Sequence, residues 1–392
     1  MRSGPVRIGM VATEASGDVL GSRVMDALRA RLPDAVFCGV GGPQMIAAGF
    51  EPWFAQETLA VHGLVEVLQH LGRVLAVRRS LVRRFLADPP HLFLGIDGPE
   101  FNLGLERRLR ARGIATAHLV SPTVWAWRPG RVETVRRAAA HVLVLFPFEE
   151  AIYQAAGIPV TFIGHPLADD IPPRIDRQTV REELRLPGRG PVVAVLPGSR
   201  QSEIEMMAGP FIEAARVMLR RVPELRFLVP LATRQTRELF EGAMYRHDAH
   251  DLPMTLLFGH AQNALAACDV ALATSGTVTL EAAFSHRAMV IAYRVKPLSA
   301  AIGRRLIRVR HIGLPNILCG EPVVPEFVQD DATPENLAQA VLNLLADQTV
   351  RRAVEGRFER LHADLRRNAA ERAADALMPL IAGEPAALPH AA

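Results

Sequence analysis

Lysine is almost absent from this 392-residue chain: Lys296 is the only one, and every other basic side chain is an arginine. The formal charge is only +4. No strongly basic field marks a nucleic-acid binder, and no interleaving of aromatic and basic residues offers to stack bases. Codon bias in a GC-rich genome accounts for the arginines as the default reading. Chemically, their planar fork suits phosphate and an anionic lipid surface. Cysteine is scarce too. Cys38, Cys268 and Cys319 are far apart and match neither a metal spacing nor a disulfide framework, which points to a reducing, cytoplasmic setting. No stretch approaches the roughly 20 apolar residues of a membrane span. The opening MRSGPVRIGMVATEASGD has too short an apolar run for a signal peptide, so any membrane contact is expected to be peripheral. Asp-x-Asp, Gly-Lys-Ser/Thr and G-x-G-x-x-G patterns are missing as well, and neither metal nor cofactor is expected.

What is present reads as globular: 49% apolar and 22% charged, over a length that suits two domains. Short Val-, Leu- and Ile-rich runs alternate with helical segments. VRIGMVA (6–12), AVFCGVGG (35–42), HLFLGID (91–97), TAHLV (116–120) and HVLVLF (141–146) form one series of expected strands. PVVAVLPGSR (191–200), RFLVPLA (226–232), MTLLFG (254–259), VALATSG (270–276) and AMVIAYRV (288–295) form a second. The expected fold is α/β, with two doubly wound Rossmann-like domains facing a cleft. The boundary falls in the proline- and charge-rich GHPLADDIPPRID (164–176), giving domains 1–167 and 168–351. Helices at about 352–381 are expected to pack back onto the first domain, ahead of a loose Pro- and Ala-rich tail. Ligands of open parallel sheets bind at the carboxyl ends of strands, so the strand-to-helix turns are where chemistry is expected.

Two such turns in the second half suit a diphosphate. In PGSR, Gly198 lets the backbone approach a ligand, Ser199 suits a helix cap and Arg200 suits phosphate. In TSGTVTLE, Ser275, Gly276 and Thr277 offer amides and hydroxyls at another helix start. Glu281, one turn further, suits ribose hydroxyls. Taken together, the pair suggests a bound nucleoside diphosphate, whereas either alone reads as an ordinary capped turn. In the first half, Asp97 ends the strand HLFLGI, where it suits a general base or a helix cap, and Gly95 and Gly98 leave room for substrate. Glu100 and Asn102 read as local positioning groups. TEASGD carries Glu14 and Ser16, a turn that either binds substrate or is capped by Ser16 or Asp18. Trp125 and Trp127, beside Arg128 and Arg131, suit a sugar or acyl-phosphate ligand as well as a core, and His165 in GHPLAD reads as a structural hydrogen-bonder.

The segment 64–86 is the membrane candidate. Leu64, Leu68, Leu71, Leu75 and Val82 fall within roughly 60° at about 3.6 residues per turn, flanked by Arg78, Arg79 and other arginines. A core-packing helix with a solvated edge is the competing reading. A second basic stretch, AAIGRRLIRVRH (300–311), also suits a lipid phosphate.

TEASGD, GVGGPQMIAAGFE, GLVEVL, GIDGPEFN, VSPTVWAWRPGR, FPFE, GHPLAD, LPGSRQSEIE, ATSGTVTLEA, YRVKPLSA and LPNIL occur in this order over about residues 6–345. In these strings the chain resembles the lipid-A-disaccharide synthases. The resemblance implies a two-domain glycosyltransferase of the GT-B type. It would transfer a 2,3-diacylglucosamine from UDP-2,3-diacylglucosamine to 2,3-diacylglucosamine 1-phosphate, giving a β-1,6-linked lipid A precursor and UDP. It further implies that Asp97 deprotonates the acceptor 6-hydroxyl, that Arg200 holds the diphosphate, that Asn316 of LPNIL belongs to the active site and that Glu281 binds nucleotide. The implied partners are these two lipids and the phospholipid surface on the inner face of the inner membrane, with a homodimer admissible and no nucleic acid. The chain departs from the family's usual residues at Thr13, where glycine is common, and at Gly98 and Glu100, where alanine and aspartate are commoner. A UDP-sugar epimerase of the same two-domain build and a non-catalytic lipid-binding protein are the rival classes. Product analysis separates the first, and UDP release the second.

Overall fold

The computed structural model describes residues 4–59, 64–125, 130–186, 190–296 and 310–384, with only the backbone along 64–71. The chain forms two compact units, one of Met1–Pro166 with Leu365–Ala392 and the other of Leu167–Asp364.

In the first unit, β1 (Arg7–Ala12), β2 (Val36–Gly41), β3 (Glu51–Ala55), β4 (Leu92–Ile96), β5 (Thr116–Leu119), β6 (His141–Val144) and β7 (Val160–Phe162) form one parallel sheet. Its order is β3-β2-β1-β4-β5-β6-β7, so the winding reverses between β1 and β4. The inner strands are apolar on both faces because helices cover both. Along β1, Ile8, Met10 and Ala12 join Val24, Leu28 and Leu377 in one core, while Val11 joins Leu81, Phe85 and Leu105 in another.

In the second unit, β8 (Val192–Leu196), β9 (Arg226–Leu231), β10 (Met254–Phe258), β11 (Val270–Thr274), β12 (Met289–Tyr293) and β13 (Glu326–Val328) lie in the parallel order β10-β9-β8-β11-β12-β13. The reversal here falls between β8 and β11. In each sheet the strands flanking the reversal end in a turn rich in small or polar residues, the position where doubly wound folds bind ligands.

Three strands escape the sequence reading. β3 is mostly exposed and contains a proline, and β7 and β13 are three-residue edge strands. The return of the chain is also shorter than expected. The helix Gln348–Leu365 belongs to the second unit through Asp364, and only the helix Ala369–Ile381 packs in the first. That helix buries Ala373, Ala374 and Leu377 against the first core, and Arg31 pairs with its Glu371 and Asp375. The chain re-enters the first unit beside Gly164, which has φ +88° and whose Cβ would lie 2.7 Å from the Leu365 carbonyl oxygen. His165 donates its backbone N–H to that same carbonyl at 2.9 Å. Burial pushes the His165 imidazole down to about 4 and holds it neutral against Phe146, consistent with a structural role.

Candidate active site

The second unit carries a cavity of about 330 Å³ at the carboxyl ends of β8, β9, β11 and β12. Gly198, Arg200, Ser275, Gly276, Thr277 and Glu281 all line it, so the two turns expected to share a ligand do share one space. Thr274 at the end of β11 donates its hydroxyl to the Leu196 carbonyl of β8 at 2.9 Å and fixes the two strand ends together. Glu281 is mostly enclosed, and burial raises its carboxyl above the ordinary range. Gly276 keeps its backbone open, since a Cβ there would meet nothing within 4 Å.

The PGSR turn differs from the expectation in one respect. Ser199 does not cap the helix Gln201–Arg221; the N-cap residue is Arg200. The capping group is Glu203 from the helix's own first turn, whose Oε2 accepts the backbone N–H of Ser199 at 3.0 Å and of Arg200 at 3.2 Å. Gly198, at φ +119°, is required because a Cβ would come within 2.5 Å of Glu203 Cβ. These amides are thus held by a carboxylate, and the Arg200 side chain, 78% exposed and 3.6 Å from Glu203, is the group at this turn that reaches outward. Glu203 and Tyr293 also line the cavity, and neither stands out in the sequence. An S/T/D/N-x-x-E capping signature would have flagged Glu203, but arginine occupies the cap position.

In the first unit, the turns after β1 and β4 stand side by side, because Ala12 pairs with Ile96 in register. Asp97 follows at once, half-buried, with φ +51°. Its N–H donates to the Leu119 carbonyl at 2.8 Å, and its Oδ1 accepts the Gly98 N–H at 2.8 Å. Asp97 is not the cap of the helix Pro99–Arg110; Gly98 is, without a side-chain cap bond. The room at Gly95 and Gly98 is not left for substrate either. A Cβ at Gly95 would lie 2.0 Å from Glu106 Oε1, and one at Gly98 would lie 2.2 Å from Thr13 Oγ1. Glu106 is fully buried and pairs at 2.7 Å with the equally buried His118.

The TEASGD turn divides its labour in a way the sequence does not reveal. Glu14 is the N-cap of the helix Ala15–Arg31 and makes no side-chain cap bond, and Glu14 and Ser16 are exposed. Asp18 is buried and caps a different helix, Pro43–Ala47, accepting the N–H groups of Gly42, Gln44 and Met45 at 2.8–3.0 Å. Gln56 closes the turn by donating to the Ala12 and Glu14 carbonyls. Glu100 is exposed and pairs with Arg131. Trp125 donates its indole N–H to the buried Glu149 at 3.1 Å. Trp127 and Arg128 lie outside the described residues.

A model of the lipid-A-disaccharide synthetase family matches residues 8–377. The chain belongs to that family. It is 51% identical over 374 residues to the lipid-A-disaccharide synthase of Dechloromonas aromatica (strain RCB), covering 95% of this chain and 98% of that protein. Among solved structures, it resembles a UDP-N-acetylglucosamine 2-epimerase assignment from Listeria monocytogenes at TM-score 0.62 and 13% identity, over 96% of each chain. It resembles sucrose-phosphate synthase from Thermosynechococcus elongatus at TM-score 0.62 and 14% identity, over 97% and 100%. At such identities these likenesses speak for the fold, which is that of GT-B glycosyltransferases. Its membership of the synthetase family, and not the fold, makes this chain a glycosyltransferase.

Within this family member, Asn316 does not line the cavity. It is fully buried, and its amide is used internally: Nδ2 donates to the Val324 carbonyl and to Glu326 Oε1, each at 2.8 Å, and Oδ1 accepts the Val324 N–H. Glu326 also accepts the N–H groups of Ile312 and Gly313. The Ile312 carbonyl in turn receives the Ser275 hydroxyl at 2.8 Å. Among the described residues, Asn316 is linked to the cavity wall through Glu326 and Ile312.

The membrane candidate splits similarly. The helix Leu64–Ala87 buries Val77, Leu81 and Phe85 in the core, with Val74 and Val82 packed against them, about a quarter-turn round from the expected stripe. Val82 is thus partly core. Leu75 is half-buried and lines an open groove of about 770 Å³ with Arg78, Arg79, Val82, Arg83 and Arg108. Burial, then the neighbouring Arg108 and Arg107, lowers the Arg78 guanidinium from its ordinary value. The Leu64, Leu68 and Leu71 side chains and most of the 300–311 stretch lie outside the described residues.

Proposed function

We propose that this synthetase-family chain transfers 2,3-diacylglucosamine from UDP-2,3-diacylglucosamine to the 6-hydroxyl of 2,3-diacylglucosamine 1-phosphate, with inversion, releasing UDP. The observation that carries the reading is the shared cavity of the two turns, in a chain whose family is named for this disaccharide. Arg200 would take the diphosphate. The open backbone at Gly276 and Thr277 would take its second phosphate, and Glu281 the ribose hydroxyls. Asp97 would accept the acceptor's proton as its oxygen attacks the anomeric carbon. In the same step the bond from the anomeric carbon to the diphosphate oxygen breaks, and Arg200 stabilises the charge developing on departing UDP.

Both proposed substrates carry acyl chains, which requires access to a lipid surface. Leu75 with Arg78 and Arg79 in the arginine groove supports peripheral binding to the phospholipid of the inner membrane's inner face. The epimerase alternative has only a likeness of fold behind it. A UDP-release assay decides between them. Release that depends on diacylated donor and acceptor together supports the transfer. Isomerisation of plain UDP-N-acetylglucosamine without UDP release would replace it with the epimerase.

A further inference from the structure

The turn that carries Asp97 is built from two consecutive residues in the left-handed region, Asp97 at φ +51° and Gly98 at φ +48°. A non-glycine residue there persists only when its surroundings over-determine it, and such strain gathers at functional sites. Three contacts hold this turn. The Asp97 N–H is tied to β5 through the Leu119 carbonyl at 2.8 Å. From beneath, the fully buried Asn102 donates its side-chain amide to the carbonyls of Asp97 at 2.7 Å and of Ile96 and Val11 at 3.2 Å each. From the side, Thr13 fills the space where a side chain at position 98 would stand. A Cβ on Gly98 would lie 2.2 Å from Thr13 Oγ1, 2.8 Å from its Cγ2 and 3.0 Å from its Cβ.

Every side-chain atom of Thr13 thus conflicts with a Cβ at 98. Thr13 cannot readily step aside, because it is 6% exposed and follows β1 directly, in register beside the end of β4. Positions 13 and 98 share one side-chain site, and in this chain it is filled from position 13.

We propose that Thr13 is a positioning residue for Asp97, and that threonine at 13 with glycine at 98 forms a matched pair setting the direction of the Asp97 carboxylate. The inference rests on the reading of Asp97 as the base. Thr13 acts as a wedge: it prevents the Asp97–Gly98 peptide from rolling toward β1, while Asn102 prevents it from lifting. An error of about an ångström in a base's position is enough to cost on the order of a hundredfold in rate, so small steric changes at this pair should register in turnover.

The test is a cycle of Gly98→Ala, Thr13→Gly, the double variant and Asp97→Asn in the full chain, with kcat, donor KM and thermal melting read for each. Gly98→Ala alone should lower kcat by about tenfold or more with donor KM little changed, because the donor cavity belongs to other residues. Adding Thr13→Gly should recover most of that loss, the remainder reflecting an alanine in the left-handed region. A double variant no faster than Gly98→Ala would overturn the pairing. Should Gly98→Ala fail to fold, the double variant carries the same test: restored folding and turnover support the pair, and continued unfolding overturns it. Asp97→Asn separates the two claims. Full activity in that variant would remove the base while leaving the steric pair intact. An inactive Asp97→Asn beside an unrescued Gly98→Ala would keep the base and remove the pair.

Discussion

Asn316 Nδ2 donates to Glu326 Oε1 at 2.8 Å inside the second unit, and through that bond a fully buried amide is linked to Ser275, which lines the cavity at the ends of β8 and β11. Glu326 is the hub, because its two oxygens accept Ile312 N–H, Gly313 N–H and the Asn316 amide.

The first expectation concerns that hub. Glu326→Gln places an NH₂ group against backbone N–H donors, and hydrogen bonds to a charged group are worth about 1.5–3 kcal/mol each. The melting temperature should fall, and donor KM should rise more than kcat falls. The effects of Asn316→Ala and Glu326→Gln should be strongly non-additive. Fully additive losses in donor affinity, measured by calorimetry with UDP, would mean that the two residues act separately.

Asp97→Asn should bind UDP much as the parent does and turn over slower by a factor on the order of 10² or more. Equilibrium UDP binding alongside single-turnover rates checks this. Normal turnover would move the base elsewhere.

On the helix Leu64–Ala87, two faces should respond differently. Leu75→Glu should weaken binding to anionic vesicles while leaving the melting temperature near that of the parent. Phe85→Ala, in the core against Phe93 and Trp53, should cost about 3–5 kcal/mol of stability. Vesicle binding should also weaken with added salt, since roughly 10 Å is the screening length at 0.1 M. Unfolding by Leu75→Glu would return that stripe to the core.

Glu149 gives stability a pH dependence of definite sign. Burial pushes its carboxyl up from the ordinary 4.5 to about 7, so between those values the folded chain holds a proton that the unfolded chain has released. Below 4.5 each state is protonated and Glu149 costs nothing. Between 4.5 and 7 its contribution falls as pH rises, and above 7 the full penalty, at most about 3 kcal/mol, is present. Glu149→Gln keeps an acceptor for the Trp125 indole and should stabilise the protein at pH 8 but not at pH 4. His141 and His165, each lowered to about 4 by burial, work in the opposite direction: their stabilising contribution is complete above 6.5 and is lost as pH falls toward 4. Melting of Glu149→Gln against pH isolates the carboxyl.

The nine inner strands were legible because helices cover both faces of each sheet, which forces continuous apolar runs such as VVAVL and VALAT, and the edge strand β10 was legible with them through its own apolar run MTLLF. β3, β7 and β13 were not, since edge strands need neither length nor apolarity. The ligand turns were legible as motifs, but the partners of their polar groups were not. Asp18 caps a helix more than twenty residues away, and Glu203 holds amides that look free in the sequence. Nor does a glycine announce which neighbour requires it: Gly95 yields to Glu106 and Gly98 to Thr13. On the helix Leu64–Ala87, periodicity selected an apolar stripe, yet Val77, Leu81 and Phe85, on the neighbouring face, are what the core buries.

The helix Ala369–Ile381 completes the hydrophobic floor beneath β1, although the whole second unit is translated before it. On the ribosome, the segment 167–364 is therefore free to mature while the earlier-made strands still wait for their last cover. A stalled or clipped product lacking this helix would leave the amino-terminal half, rather than the carboxyl-terminal half, as the substrate for chaperones and proteases.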